Sequence, residues 1–202
     1  MQDTEVDNWR RSSQVPYELL LSLRGLNYRF LELITALPAG WDSPRKGLDG
    51  AIFTQITALS SAQRAAVANC PYALFDLRFH DDDHWRTQLR APGGHVAEPA
   101  AVNAETLEFV KLAIFFAWHA ANITRFAAPL LLGMNPRTVR DFHRASIDRL
   151  PALAVVEAAN LTARWSNCTA YWGALTAADA HPARLNKIQL YGLQLATAAR
   201  LP

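Results

Sequence analysis

Three arginines, Arg137, Arg140 and Arg144, recur at steps of three and four, the spacing that lines side chains along one face of an α-helix. They sit in the run Leu132-Gly133-Met134-Asn135-Pro136-Arg137-Thr138-Val139-Arg140-Asp141-Phe142-His143-Arg144. A glycine ends one helix there, a short turn follows, and asparagine and proline open the next. This is the outline of a helix-turn-helix, whose second helix presents polar side chains to the major groove of DNA. Guanidinium groups suit phosphate oxygens and paired hydrogen bonds to guanine. Thr138 and His143 flank the stripe, so the expected DNA-binding set is Arg137, Thr138, Arg140, His143 and Arg144. The plainer alternative is a solvated helix face carrying Arg137, Arg140, Arg144 and Arg149, partly neutralised by Asp141 and Asp148.

Other chemistry is sparse. His80-Asp81-Asp82-Asp83-His84 combines imidazoles and carboxylates, which are metal-ligand types. Its members are nearly adjacent at a helix start and point in different directions, and acidic side chains favour a helix N-terminus in any case. No metal and no cofactor are expected. There is no glycine-rich phosphate loop, no Gly-x-Ser-x-Gly and no carboxylate pair beside a histidine, so a binding protein is expected and not an enzyme. His119, inside the most apolar segment, is expected to be a core histidine bonded to a backbone carbonyl.

The 202 residues suffice for a buried core, and half are hydrophobic against 19% charged, which excludes wholesale disorder. The formal charge is only +2, so nucleic-acid binding would have to come from a local basic patch. Two distant cysteines, Cys70 and Cys168, make neither a disulfide framework nor a metal spacing and fit a reducing compartment. Met1 to Arg11 is polar and does not resemble a signal peptide. The greasiest run, Leu112 to Ala121, is too short to span a bilayer. A cytoplasmic protein without membrane contact is expected.

Positioning these residues falls to helices. Leu19, Leu23, Leu26, Phe30, Leu33 and Leu37 recur at helical spacing after Pro16 and stop at Pro38-Ala39-Gly40. Helices are predicted over about 51–59 and 61–69, the second capped by Ser60. An extended piece is predicted within 73–79, then a short helix bearing Trp85 and Leu89. Residues 91–103, with Pro92, Gly93, Gly94 and Pro99, read as a linker. One long helix is predicted over 104–132, followed by the arginine helix and another begun by Ser146. A short helix opens at Tyr171-Trp172, and a closing helix covers about 182–200. Its apolar face, Leu185, Ile188 and Leu195, is the expected docking surface for a protein partner or a second copy. The six tryptophans, Trp9, Trp41, Trp85, Trp118, Trp165 and Trp172, are expected as core or interface anchors.

The chain also aligns with itself. Gly47-Leu48-Asp49 lies over Gly133-Met134-Asn135, an offset of 86 residues. At that offset Leu26 meets Leu112, Phe30 meets Phe116, Ser60 meets Ser146, Ala68 meets Ala154, and Arg78-Phe79 meets Arg164-Trp165. Trp85 meets Trp172 one residue later. Turn glycines, capping serines and core aromatics are what backbone geometry and packing preserve in a unit written twice. The expected organisation is a first helical repeat over 16–90, the linker, a second repeat over 104–176 and a C-terminal helix in 177–202. The first copy has Ala51, Thr54 and Ala58 where the second has Arg137, Arg140 and Arg144, so the fold does not require the basic stripe.

Leu59-Ser60-Ser61-Ala62-Gln63, an alanine-rich helix, and Ala73-Leu74-Phe75-Asp76-Leu77-Arg78-Phe79 together resemble the flagellar transcriptional regulator FlhD family. Glu18-Leu19-Leu20-Leu21 resembles the start of that family's first helix. Leu132-Gly133-Met134-Asn135 and Arg164-Trp165 resemble later parts in the second half. The resemblance implies an all-α fold of dimeric plan that acts with a partner on promoter DNA. The chain is about twice the usual length of that family, so its two halves would pack as a pseudo-dimer.

Overall fold

The computed structural model describes residues 15–36, 47–90, 103–124, 126–177 and 182–198. Trp9, Trp41, Leu37, the Pro38-Ala39-Gly40 stop and nearly all of the expected linker lie outside them. The described residues form ten α-helices and one two-residue ladder, so the all-α expectation holds. No described helix is long and apolar enough to cross a membrane.

The first helix, α1 (Tyr17–Ala36), follows its leucine stripe: Leu19, Leu23, Leu26, Phe30, Leu33 and Ile34 are all buried. Asp49 accepts a hydrogen bond from the Ala51 N–H and so starts α2 (Gly50–Ala58). Ser60 and Gln63 form a reciprocal capping box at α3 (Ser61–Ala68). The chain then extends through β1 (Phe75–Asp76) and turns at Arg78, which adopts a left-handed φ of 57°. Helix α4 (Asp82–Arg90) follows, its N-terminus capped by Asp81 Oδ1 accepting from the His84 N–H at 3.0 Å.

The expected long helix is in fact two. Helix α5 (Ala104–Ile123) ends where Thr124 turns extended, and α6 (Ala127–Leu132) starts afresh. Thr124 Oγ1 accepts from the Phe126 and Ala127 N–H groups, a side-chain alternative to continued helix that threonine readily offers. The buried face of α5 comprises Phe109, Val110, Ala113, Ile114, Phe116, Ala117, Ala120 and Ala121. Leu112 and Ile123 are 41% and 37% exposed, whereas Phe116 is buried. His119 is exposed, contrary to the core position expected of it, because the inward arc of α5 is filled by its small and branched residues.

Gly133 (φ 75°) ends α6, and a Cβ there would lie 2.5 Å from an Arg164 guanidinium nitrogen. Only glycine meets both demands. Helix α7 (Pro136–Arg144) comes next, then a 3-10 turn over Ile147–Arg149 and α8 (Leu150–Glu157) with Pro151 in its first turn. The strand β2 (Thr162–Ala163) pairs antiparallel with β1, Phe75 opposite Ala163 and Asp76 opposite Thr162. Helices α9 (Thr169–Thr176) and α10 (Pro182–Ala198) complete the chain.

Helices α1 and α5 pack on each other; α3 lies on α1, and α8 on α5. The other contacts cross over: α4 packs on α7, while α9 packs on α2. Phe30, Phe75 and Phe109 meet edge-on or tilted at the centre, with ring centroids 5.1–5.9 Å apart. Trp85 and Trp172 are fully buried, and their indole N–H groups donate to the carbonyls of Arg78 and Arg164. Trp165 packs against Tyr72 and Tyr171, with the Arg164 guanidinium 4.6 Å over its ring.

Candidate nucleic-acid interface

Helix α7 is strongly two-faced. Thr138, Val139 and Phe142 are buried, whereas Arg137, Arg140, His143 and Arg144 are exposed. Among the described residues none of Arg137, Arg140 and Arg144 forms an ion pair or a side-chain hydrogen bond. Asp141 and Asp148, the neutralising residues of the plainer alternative, form no ion pair with these three, which are solvent-facing as that alternative also has them. Asp141 pairs with Arg90 of α4 at 3.5 Å, and Asp148 accepts from Ser146. Arg149 differs from its neighbours: it is half-buried and donates to the carbonyls of Leu89 and Gln88, satisfying the open C-terminal end of α4.

Thr138 leaves the expected contact set. Its hydroxyl and its N–H both donate to Asp82 Oδ1, at 2.7 and 3.2 Å, and it is fully buried. Asp82 thus caps α7 from a helix more than fifty residues earlier. The cap expected of Asn135 is absent because its amide donates to the His80 carbonyl instead. The cluster from His80 to His84 is dispersed by these bonds. Asp81 caps its own helix and pairs with Arg78 at 2.5 Å. The bond from the His84 N–H, followed by the Arg78 guanidinium, holds the Asp81 carboxyl below its ordinary range. His84 Nε2 lies 2.8 Å from Oε1 of Glu157, whose side chain is wholly buried.

The packing of α4 on α7 makes the arginine stripe one wall of a cleft of about 210 Å³. Arg86 and Arg90 of α4 form the facing wall, and Asp82 and Asp141 complete the lining. Five guanidiniums against two carboxylates leave a local charge of +3, more than the +2 of the whole chain. Such a concave surface of net positive charge focuses field lines onto an anion. Arg86 and Arg90 were not singled out from sequence. Their four-residue spacing opposite Trp85 and Leu89 marked an outward face, but nothing local indicated that it would meet α7.

The closing helix differs from expectation. Leu185 is buried, and Ile188 and Leu195 pack half-buried against the core as α10 lies on α9. Gly192 lets this happen: a Cβ there would sit 2.0 Å from the Tyr72 hydroxyl oxygen. The face expected to dock a partner is thus used within the molecule, and the outward side presents Leu190 and Tyr191.

No protein-family profile, characterised protein or solved structure matches this chain.

Proposed function

We propose that this chain is a FlhD-like helical regulator that binds DNA through the arginine face of α7, its two halves packed as a pseudo-dimer. The observation that carries this is the solvent-facing row Arg137, Arg140 and Arg144, none of which forms an ion pair or a side-chain hydrogen bond among the described residues. An exposed row of arginines on one helix is suited to phosphate oxygens along a duplex. His143, exposed beside them, completes the contact set.

The pseudo-dimer is supported by the way the elements recur. Helices α2 and α7 are both nine residues long and begin 86 positions apart, at Gly50 and Pro136. Gly47 and Gly133, at the same offset, both adopt positive φ. Arg78 and Trp165, one position further apart, are the two non-glycine residues with left-handed φ among the described residues. Asp76 pairs across the ladder with Thr162, its own counterpart at offset 86, as expected where a two-fold axis passes. The exchange of α4 onto α7 and α9 onto α2 obeys the same symmetry. The repeats at 16–90 and 104–176 would then be interlocked halves of one body, with α10 added to it. Free Cys70 and Cys168 are consistent with action in a reducing, cytoplasmic setting.

Replacing Arg137 and Arg140 together by alanine is expected to weaken binding to a labelled mixed-sequence duplex by at least about tenfold at fixed salt, since each phosphate contact contributes to affinity. Fluorescence anisotropy measures this, with circular dichroism to show that the exposed substitutions leave the helices intact. Unchanged affinity would remove α7 from the contact surface. A second reading, a subunit that docks on a protein without touching DNA, is favoured by Leu190 and Tyr191, 60% and 44% exposed on the outer side of α10. Recovery of one stoichiometric protein partner free of nucleic acid would select it.

A further inference from the structure

We propose that the cleft between α4 and α7 is a seat for a discrete, multiply charged phosphate group, of the diphosphate class, gripped from both walls. Arg86 and Arg90 are as much a part of this site as the α7 arginines. The same guanidiniums serve the DNA reading, which this proposal shares and extends. A backbone phosphate and a free phosphoanion present one chemistry to them.

The carboxylates in the cleft are already engaged. Asp82 accepts from both donors of Thr138, and Asp141 faces Arg90. Arg86 pairs with Asp83, but that carboxylate is 82% exposed, where an ion pair is weak and readily exchanged. Arg137, Arg140 and Arg144 have no partner among the described residues. Several guanidiniums are therefore held around one space with their donors open, an arrangement that favours an incoming anion with several oxygens. The cleft of about 210 Å³ is large enough to admit several waters, and so a compact anion of one or two phosphate groups. Its shape favours a compact anion that enters it over a flat surface that merely covers it.

The fold makes the equivalent crossing without any of this charge. Where α9 packs on α2, the positions matching Arg137, Arg140 and Arg144 are Ala51, Thr54 and Ala58, and those matching Arg86 and Arg90 are Gly173 and Ala177. A Cβ added to Gly173 would lie 3.5 Å from the Ile52 side chain, an ordinary close contact between apolar groups. Packing of these two helix types thus needs no arginine. Five of them at one crossing and none at the other mark a binding function.

Inorganic pyrophosphate, titrated by calorimetry into the full chain at constant ionic strength, tests the proposal. Saturable binding to one site is expected, with affinity falling at least tenfold in Arg86→Ala/Arg140→Ala. Both side chains are exposed, and circular dichroism confirms that the variant is folded. Arg140→Lys, which keeps the charge and loses the planar fork, should weaken binding severalfold without any risk to the fold. Displacement of a bound labelled duplex by pyrophosphate would identify the natural occupant as a nucleic-acid phosphate. Saturable pyrophosphate binding without displacement, or without DNA binding at all, would identify it as a free phosphoanion; the latter result would overturn the DNA reading alone. No saturable binding, or binding indifferent to both variants, overturns the proposal even if Arg137→Ala/Arg140→Ala still abolishes DNA binding.

Discussion

Asn27→Ala is expected to lower the unfolding free energy by about 3–5 kcal/mol, from three lost buried hydrogen bonds and the polar groups they leave behind. Asn27 lies in the middle of the apolar face of α1 and is fully buried. Its amide nitrogen donates to the carbonyls of Ala68 and Tyr72, at 3.2 and 2.9 Å, and its oxygen accepts from the Leu74 N–H at 2.9 Å. One side chain therefore satisfies the backbone where it leaves α3 and approaches β1. Alanine would bury one N–H and two carbonyls without partners, each costing about 1–3 kcal/mol, tempered by relaxation toward water. Urea denaturation followed by far-UV circular dichroism measures the loss, with the slope expected to be unchanged. A change under about 1 kcal/mol, the net value of a single typical bond, would mean that this segment is held by other contacts.

The second large effect is expected at the His84–Glu157 pair, which fastens α4 to the end of α8. Burial is the main influence on Glu157 and raises its carboxyl above the ordinary range; bonds from Asn160 and His84 oppose it. His84→Ala removes the imidazole and leaves a wholly buried carboxylate with Asn160 alone. Breaking a buried pair from one side costs about 3–5 kcal/mol. The sign of the pH dependence follows from the raised value. A carboxyl with a higher pKa folded than unfolded binds its proton more tightly in the native state. Its favourable contribution is complete below the unfolded range and is lost as pH rises through the folded value. Without His84 the Glu157 carboxyl is pushed up further, so the deficit of the variant should widen as pH rises from the ordinary carboxylate range towards neutrality. Adding Glu157→Gln to His84→Ala removes the charge and should flatten that dependence. A deficit independent of pH would contradict this account of the pair. Because α4 carries Arg86 and Arg90, its loosening should also disperse the cleft.

Helical periodicity made most of the fold legible. The stripe from Leu19 to Leu33, the Ser60 cap and the Gly133 turn each express a local rule, and each stands where the spacing put it. The break at Thr124 was legible in Pro129, which cannot donate to a carbonyl one turn back and so belongs in the first turn of a new helix; the Thr124 side chain completes the stop. Nothing local singled out Asn27, since its partners lie more than forty residues away. The inward face of α10 was mistaken for a docking surface for a related reason: an amphipathic pattern says that a face will be covered, not by what.

The arginine stripe itself was visible at the level of one helix. Its facing wall was not, because Arg86 and Arg90 reach it only through tertiary packing of α4 on α7. Thr138 looked like a surface flank by spacing, yet it is the residue that Asp82 uses to dock the two helices. Residues that build a cleft and residues that line it alternate along both helices, and the period alone cannot separate them.

The central claim is that the exposed arginines of α7, which form no ion pair within the described residues, engage phosphates. The most direct measurement is the salt dependence of duplex binding by the unaltered chain. Three phosphate contacts predict a slope of log K against log salt near −3, at about −0.9 per contact, falling in magnitude by about two units in Arg137→Ala/Arg140→Ala. A chain that fails to associate with DNA at low salt, or whose association ignores salt, would contradict it.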